Sequence, residues 1–520
     1  MPVNKLVDDG HLRMTKTRRV KPGKADETRL RRGESSGSQR QLVTNGKVEV
    51  EEEEATNLKR QVGLISGVSL IVGTMIGSGI FISPKGVVRG SGSVGLSLIV
   101  WFLCGVLAMC GALSLAELGT FIRRSGGEYT YVLEAIGSLP AFLISWVSVL
   151  VIKPSGVAII AMTCAEYVMV PLFDDGCGIP PELNKKLLAA AVILIITAVN
   201  CYSVKLATRV QVIFTVAKLL ALVIIIIGGI VRLAQGNVQH LRTGFEGTES
   251  NIGKIAIGFY NGMWAYDGWN NLNYVTEELK SPTKNLPRAI MIAIPLVMVV
   301  YLLTNISYFT VMSPHELLDS PAVAVTWGLQ VVRSVSWMLP IFVVMSTFGA
   351  VNGSVFTGVR LCYVAARNGH LADLLSMIHV KKYTPLPSLM FTTVIALLMV
   401  IPSNIESLID FFNFTAWIFY GLTMVALLVM RWTRKDEKRP YKVPIIIPIV
   451  VLIASVYLVV APIIDNPRLE FLYASLFILG GLIFFFPFVY FKMQLPGMNA
   501  MTTFFQMVFQ VSPPVAEPDL

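Results

Sequence analysis

Charged residues are scarce in this chain of 520 residues: they make up 15% of it, whereas apolar residues make up 54%. A soluble globular chain has roughly 25% charged residues. The deficit excludes a string of soluble domains, a disordered protein and a fibrous protein. What the sequence has instead is a series of long apolar runs, which predicts an all-α polytopic membrane protein.

Motifs for catalysis and metal binding are also missing. None of the six cysteines forms a C-x-x-C pair, and no H-E-x-x-H, G-x-S-x-G or phosphate-loop motif occurs. All five histidines fall outside the apolar runs, where an intramembrane enzyme would need its catalytic groups. We therefore expect no enzyme, no cofactor and no metal site. The net charge of +10 lies in a mixed-charge tail and short loops, which argues against nucleic acid as a partner.

The polar N-terminal segment differs from the rest of the chain. Residues 1–60 contain a basic stretch and an acidic run but no apolar signal segment, so we expect a disordered tail. Residues 61–431 should form a ten-helix core, 432–491 helices 11 and 12, and 492–520 a C-terminal tail. Twelve spans are predicted, at residues 62–83, 94–118, 139–171, 186–203, 209–233, 252–275, 288–312, 335–365, 386–403, 408–431, 443–464 and 470–491.

The distribution of basic residues predicts the orientation. Loops that follow even-numbered spans carry more Lys and Arg than the others, which places both termini in the cytoplasm. Near the C-terminus, residues 501–511 have an amphipathic pattern. They would form a helix that lies on the membrane surface or packs under the helix bundle.

The first apolar run is interrupted by Gly73, Gly77, Ser78 and Gly79. Small residues of this kind permit close helix packing. They also weaken a helix, and the freed N–H groups at the start of a half-helix would bind a substrate carboxylate. By itself this segment leaves both interpretations open.

The sixth run carries a second interruption, from Phe259 to Asn270, in which glycines again stand among polar residues such as Asn261. Spans one and six correspond to each other if the first ten helices form two halves of five. Matched broken helices are the best sequence indication of a transporter's binding site. The pair of interruptions therefore favours a site over simple packing.

Asp267 is a carboxylate at membrane depth, which costs several kcal/mol unless it is paired. One interpretation is a structural role, in which the acid is ion-paired or protonated. The other is that it is the counter-charge of a cationic substrate. Trp264 lies one turn earlier on the same face and would stack on such a cation. Lys218 either extends to the interface or replaces a sodium ion with a fixed charge. For Lys153, before Pro154, a kinked helix or extension to the interface is the default.

Cys177 stands in a polar loop rich in Gly and Pro, on the extracellular side in the predicted orientation. A single exposed cysteine in an oxidising space suggests an intermolecular disulfide. The alternative is a reduced thiol within the loop.

Several ordered motifs together resemble the light subunits of heteromeric amino acid transporters, in the amino acid–polyamine–organocation superfamily. The resemblance runs from about residue 58 to residue 490, and residues 264–270 (WAYDGWN) are most similar to the b(0,+)-type branch of that family. The motifs are Gly77-Ser78-Gly79-Ile80-Phe81, Ala116-Glu117-Leu118-Gly119, Ser125-Gly126-Gly127-Glu128-Tyr129 and Asn273-Tyr274-Val275-Thr276-Glu277-Glu278-Leu279.

The resemblance implies a LeuT-like fold, with a 5+5 inverted repeat, two further helices, and broken helices 1 and 6. It implies sodium-independent exchange of cationic amino acids and cystine for neutral amino acids at the plasma membrane, apical by analogy. A single-span, glycosylated heavy chain of the rBAT type would be bonded through Cys177, and Lys218 would occupy the sodium-site region. Trp264 would act as a lid and Asp267 would meet the cationic side chain. The substrate-binding residues it implies are Met75, Ile76, Gly77, Ser78, Gly79, Asn261, Trp264 and Asp267.

Two departures and three alternatives accompany this interpretation. The N-terminal tail is longer than usual, and the family's C-terminal Val-Pro-Pro-Glu element appears in altered form as Val511-Ser512-Pro513-Pro514-Val515. A neutral-only exchanger would use Asp267 structurally. A proton-coupled carrier or uniporter would let Lys218 titrate. A sensor or scaffold would bind amino acids with little flux.

Overall fold

The structure is a computed structural model that describes residues 39–44, 47–52, 62–173, 181–202, 204–382, 384–401, 405–465, 467, 469–493 and 497–513. The chain divides into two compact units. One comprises Met1–Asn57 with Ala516–Leu520, and the other comprises Leu58–Val515.

The described part of the first unit is a β-hairpin. Strands β1 (Gln39–Thr44) and β2 (Lys47–Glu52) pair antiparallel. The two residues between them in the sequence are Asn-Gly, the pair most typical of two-residue hairpin loops. The remainder of the tail predicted to be disordered lies outside the described residues.

The second unit is nearly all helical. Its helices are α1 (Leu64–Met75), α2 (Gly79–Ser91), α3 (Val94–Phe121), α4 (Glu128–Ala135), α5 (Ser138–Val147), α6 (Lys153–Phe173), α7 (Glu182–Tyr202), α8 (Val204–Ala234), α9 (Gln239–Arg242), α10 (Ile252–Ala265), α11 (Pro282–Phe309), α12 (Pro314–Asp319), α13 (Val323–Val331), α14 (Met338–Arg367), α15 (Leu386–Val400), α16 (Ile405–Thr433), α17 (Ile446–Asp465), α18 (Leu469–Phe484) and α19 (Met498–Phe509). A π-helical turn, Ser148–Ile152, joins α5 to α6, and a second, Phe485–Tyr490, follows α18. Short 3₁₀ segments are Asn271–Glu278, Arg333–Val335 and Asp373–Ser376.

Within the described ranges, nine helices are long and apolar enough to cross a membrane, and ten if the bent pair α1–α2 counts as one span. This confirms a multi-pass helical membrane protein. Helix α10 has 14 residues and α15 has 15, so neither reaches the ~20 residues of a full span on its own. The predicted count of twelve remains a prediction that depends on these two regions.

Glycines bring α2 and α10 into backbone contact. A Cβ atom on Gly90 would lie 2.5 Å from the amide nitrogen of Gly258, and one on Gly79 would overlap the Cα of Ala265. No larger residue fits there without separating the helices. Gly79 also begins α2, so close packing and helix interruption, the two interpretations of the first glycine cluster, occur together.

A buried ionic cluster joins the end of α3 to the end of α16. The Glu117 carboxylate is fully buried and accepts hydrogen bonds from Arg431 and, at 2.9 Å, from the backbone N–H of Val443. Arg439 completes the cluster with an ion pair of 3.3 Å. Several partners share the charge, as a carboxylate removed from water requires.

His370 follows α14 and is buried. One ring nitrogen is hydrogen-bonded to the Tyr129 hydroxyl and the other to the Ser138 hydroxyl, each across 3.0 Å. Burial penalises the charged imidazolium and lowers the pKa of His370 to about 4. A neutral imidazole suits this position, since it donates through one nitrogen and accepts through the other.

The amphipathic C-terminal segment forms α19, which attaches to the loop between α14 and α15. After α19, strand β4 (Val511–Ser512) pairs with β3 (Ile378–His379) in that loop. The backbone N–H of Val380 donates to the Gln510 carbonyl across 3.0 Å. The opposite face of α19 exposes apolar side chains, those of Met501, Phe504, Met507 and Val508.

Candidate functional site

The first interruption is a true break. Helix α1 ends at Met75 and α2 begins at Gly79, and the two axes are bent by 51°. Residues 76–78 between them are buried. The first N–H groups of α2 and the last carbonyl groups of α1 lack helical partners, so the break presents donors and acceptors at the same depth.

Lys218 on α8 occupies the carbonyl side of this break. Its side chain is fully buried, and its Nζ donates to the carbonyl oxygens of Gly73 at 2.5 Å and of Ile76 at 2.7 Å. The C-terminal end of a helix carries a partial negative charge that favours a cation. Lys218 therefore does not extend to the membrane interface.

The second interruption follows α10, which ends at Ala265. The chain turns through Asp267 and Gly268 before the 3₁₀ segment Asn271–Glu278 begins. Gly268 has a φ of 101°, which disfavours residues with a side chain, and a Cβ there would lie 2.9 Å from the Thr74 hydroxyl. Glycine thus makes the turn and lets it approach the end of α1.

Tyr301 on α11 links the two breaks. Its hydroxyl donates towards the carbonyl oxygens of Met75, at 2.6 Å, and of Ala265, at 2.9 Å, which are the last residues of α1 and α10. Tyr301 is fully buried. Sequence reasoning missed this residue, because a tyrosine in an apolar helix gives no local sign of its distant acceptors.

The first cavity, of about 30 Å³, lies between the two breaks. A single water needs roughly 10–15 Å³, so the helices must separate to admit an amino acid. The N-terminus of α2 at this cavity suits a carboxylate. The residues that line it are Gly73, Thr74, Met75, Gly77, Ser78, Gly79, Ile160, Trp264, Asp267, Gly268, Asn271, Ala350, Gly353 and Ser354.

Two of the residues predicted to bind substrate lie elsewhere. Ile76 is buried and offers its carbonyl to Lys218 instead of the cavity. Asn261 donates to the carbonyl of Ile257 across 3.1 Å and packs so closely on Gly86 that a Cβ there would overlap its side-chain amide. The geometry gives Asn261 a position between α10 and α2, outside the lining of the first cavity.

Trp264 stands at the edge of the first cavity and is 5% exposed. Its ring meets Phe412 edge-on, with centroids 5.0 Å apart. Within the described part of the chain its indole N–H has no hydrogen-bond acceptor. A buried indole of this kind usually finds a partner, so the N–H is available to a bound molecule.

The second cavity, of about 20 Å³, lies on the other side of Asp267, and Asp267 lines both cavities. Of its charged lining residues, Glu128 accepts a hydrogen bond of 2.6 Å from Asn270. Lys153 places its Nζ 4.9 Å from the centroid of the Tyr274 ring. The other lining residues are Tyr129, Ile144, Ser148, Ile152, Leu361, Phe412, Ala416, Phe419 and Tyr420.

Asp267 has no cation within 4.0 Å among the residues that the structure describes. Its backbone N–H donates to the Trp264 carbonyl at 3.1 Å, which fixes the turn. For this residue the sequence leaves an ion pair as one structural alternative. The geometry instead gives a carboxylate between two cavities without such a pair.

Sequence reasoning did not place Glu128 and Lys153 at the site. Glu128 was recognised only as part of a family motif. A carboxylate after Gly126-Gly127 and before apolar residues is itself an indication of a functional position. Lys153 was expected to accompany a kink or to extend to the interface. It follows a π-helical turn, a feature that often marks functional positions in helices.

Ion pairs connect the broken segments to other helices on either side of the cavities. Arg89 near the end of α2 contacts Glu406 at the start of α16 across 2.5 Å, and both side chains are exposed. Glu278, which ends the 3₁₀ segment, contacts Arg360 on α14 across 2.8 Å. Both pairs are closed in this structure.

The described residues contain neither a cluster of metal ligands nor a disulfide. No group of three His, Cys, Asp or Glu side chains there is arranged to hold a metal ion. The five cysteines in this part of the chain are free. Cys177, predicted to bond a partner, lies outside the described residues.

Comparisons with known proteins agree with this architecture. A family model described as amino acid permease matches residues 62–505. The chain is 54% identical to a b(0,+)-type amino acid transporter 1 of Mus musculus over 89% of its own length and 95% of the relative's. It is 52% identical to the Homo sapiens protein of that name over 91% and 97% of the two lengths. It is also 50% identical to large neutral amino acids transporter small subunit 2 of Homo sapiens, over 79% and 77%.

Proposed function

Because this chain belongs to the amino acid permease family, whose members named above are transporters and not enzymes, we propose that it exchanges cationic for neutral amino acids without sodium. The observation that carries the proposal is Asp267, a carboxylate between two cavities without an ion-pair partner within 4.0 Å among the described residues. Such a group favours a substrate that brings its own positive charge into the membrane.

The two helix breaks accommodate the part that all amino acids share. The substrate carboxylate would bind at the N-terminus of α2, near Gly77 to Gly79, and the α-ammonium would bind backbone carbonyl groups at the end of α1. The side chain would then extend past Trp264 towards Asp267. A guanidinium or alkylammonium group would pair with Asp267 and stack on the indole.

Lys218 supports sodium independence. A fixed ammonium bonded to two backbone carbonyls at the end of α1 supplies the charge that a bound cation would otherwise supply there. Transport then needs no ion from solution at this position.

Alternating access would proceed by opening one ion pair at a time. Opening on the side of α2 separates Arg89 from Glu406, and opening on the other side separates Glu278 from Arg360. The Arg89–Glu406 pair is exposed and contributes only about 0–1 kcal/mol, so it stabilises the closed state weakly. The Glu278–Arg360 pair is less exposed.

The finer features of the proposal rest on the resemblance. We propose twelve helices in a LeuT-like arrangement, both termini in the cytoplasm, and location in the plasma membrane. The partner would be a single-span heavy chain, joined by a disulfide to Cys177. Cystine as a substrate comes from the same resemblance, since no group in the two cavities is specific for a disulfide.

A neutral-only exchanger is the second candidate. It is favoured by the 50% identity to a transporter named for large neutral amino acids and by Lys153 in the same cavity as Asp267. In that case Asp267 would have a structural role, and its neutralisation would not discriminate between leucine and arginine.

The test is arginine efflux from sodium-free proteoliposomes, with and without external leucine, for wild type and Asp267→Asn. We expect leucine to accelerate arginine efflux in wild type. The variant should lose arginine transport and retain leucine exchange. Asp319→Asn, an exposed aspartate outside both cavities, is the matched control.

Three outcomes would contradict parts of the proposal. Equal arginine efflux into empty buffer would indicate a uniporter or a proton-coupled carrier. Transport of neutral substrates alone would indicate the neutral-only exchanger. Binding without flux of any amino acid would indicate a sensor.

A further inference from the structure

A carrier that accepts both cationic and neutral side chains faces a difficulty at Asp267. An arginine substrate neutralises the carboxylate, but a leucine substrate leaves it uncompensated inside the membrane, at a cost of several kcal/mol. If the proposed function holds, on which this inference rests, the chain must supply a cation of its own when the substrate is neutral.

Among the residues that the structure describes, Lys153 is the only lysine or arginine that lines the second cavity, which it shares with Asp267. Its ammonium contacts the face of Tyr274, with Nζ 4.9 Å from the ring centroid, and makes no ion pair within 4.0 Å among the described residues. Lysine has a long, flexible stem; its ammonium lies here on an aromatic face and interacts with Asp267 only across a longer distance. Such a cation can move to a stronger partner within reach.

The local backbone directs this side chain into the protein. The π-helical turn Ser148–Ile152 ends immediately before Lys153, and a turn of this kind shifts the helix face on which the following residues lie. On α14, Gly358 leaves space for the lysine stem, because a Cβ there would lie 3.1 Å from the Cβ of Lys153. The position is therefore built to hold the lysine in the interior.

We propose that Lys153 is a tethered counter-cation that determines the dual specificity of the site. With a neutral substrate, its ammonium pairs with Asp267. With a cationic substrate, the substrate's charge pairs with Asp267 and Lys153 stays at the face of Tyr274, where its Nζ lies in this structure. Glu128, the other carboxylate of the second cavity, is bonded to Asn270 through Oε1 while its Oε2 has no partner among the described residues, so the experiment must distinguish it from Asp267.

The first test compares Lys153→Gln with wild type in leucine and arginine exchange. Leucine KM should rise at least about tenfold, because a neutral substrate then leaves Asp267 unpaired. Arginine KM should stay the same or fall. Lys153→Arg keeps the charge and should keep leucine exchange.

Double variants identify the carboxylate with which Lys153 pairs. Lys153→Gln with Asp267→Asn should recover leucine exchange without arginine exchange, whereas Lys153→Gln with Glu128→Gln should not recover it. Recovery only with Glu128→Gln would overturn the pairing with Asp267. Equal losses for both substrates in Lys153→Gln, without rescue, would show a structural role and overturn the proposal.

A second variant tests the other position of the ammonium and does not depend on how Lys153→Gln folds. Tyr274→Leu removes the aromatic face, so arginine KM should rise about threefold or more while leucine KM is unchanged. Tyr274→Phe keeps the face and is the control. Unchanged arginine KM in Tyr274→Leu would contradict the proposal. Absence of arginine–leucine exchange in wild type would instead refute the proposed function.

Discussion

The ammonium group of Lys218 donates a hydrogen bond of 2.5 Å to the carbonyl oxygen of Gly73, across the gap between α8 and the last turn of α1. A second bond, of 2.7 Å, reaches the Ile76 carbonyl beyond the end of α1. One side chain therefore satisfies carbonyl groups on both sides of the point where the helix stops.

Lys218→Met should reduce sodium-free arginine–leucine exchange at least about tenfold. Each buried carbonyl left without a donor costs about 1–3 kcal/mol, so the break loses its geometry. Exchange in proteoliposomes measures the effect. Lys186→Met is the control, because Lys186 also donates to a backbone carbonyl, that of Ile401 at 2.7 Å, but at the surface. Unimpaired exchange in Lys218→Met would show that the bonds are dispensable.

Tyr301→Phe should slow exchange about tenfold, because the ends of α1 and α10 lose their common donor. The initial rate at saturating substrate measures this. Tyr308→Phe is a close control: Tyr308 is also fully buried on α11, but its hydroxyl has no partner in the described structure, so its loss should be neutral. If both variants behave alike, the bridging role assigned to Tyr301 is wrong.

Gly90→Ala should lower the thermal unfolding midpoint in detergent. The added methyl would lie 2.5 Å from the Gly258 backbone, and overpacking of this kind costs about 1–3 kcal/mol. Gly480→Ala on α18 is the matched control. A Cβ there meets no heavy atom within 4 Å, so helix propensity alone predicts a slight stabilisation. Equal midpoints for the two variants would contradict the close approach of α2 and α10.

Acid should destabilise the protein through His370. Burial lowers its folded pKa from 6.5 to about 4, so between these values the unfolded state binds the extra proton. The contribution of His370 is complete above about pH 6.5 and is lost as the pH falls towards 4. The unfolding midpoint of His370→Gln should fall less than that of wild type between about pH 7 and about pH 4.5, a range that covers most of this window. His315→Gln, at an exposed histidine, should retain the wild-type acid response.

The sequence predicted both helix breaks, because glycine and polar residues weaken a helix where they fall inside an apolar run. It also predicted that Asp267 and Trp264 would lie at the site, and both line the first cavity. The roles assigned to these residues remain predictions. Asn261, taken from the same interruption, faces Gly86 instead, since residues of one turn point in different directions.

Tyr301, Glu128 and Lys153 could not be recognised in the same way. The acceptors of Tyr301 lie 226 and 36 residues from it in the sequence, and hydropathy patterns carry no record of such contacts. For Lys218, one of the two predicted alternatives was extension to the membrane interface. That alternative is wrong, because the side chain is fully buried. The short helices α12 and α13 fall in a region expected to be a loop.

The pairing of β3 with β4 has a consequence for biosynthesis. Gln506 and Met377, which meet beside this pairing, are 129 residues apart, and helices α15 to α18 lie between them in the sequence. During translation, the loop after α14 therefore lacks its contacts with α19 and β4 until four helices have been synthesised and inserted. A chain that stops before Val511 lacks the strand that pairs with β3, so the backbone groups of Ile378 and His379 lose their partners at the end of synthesis.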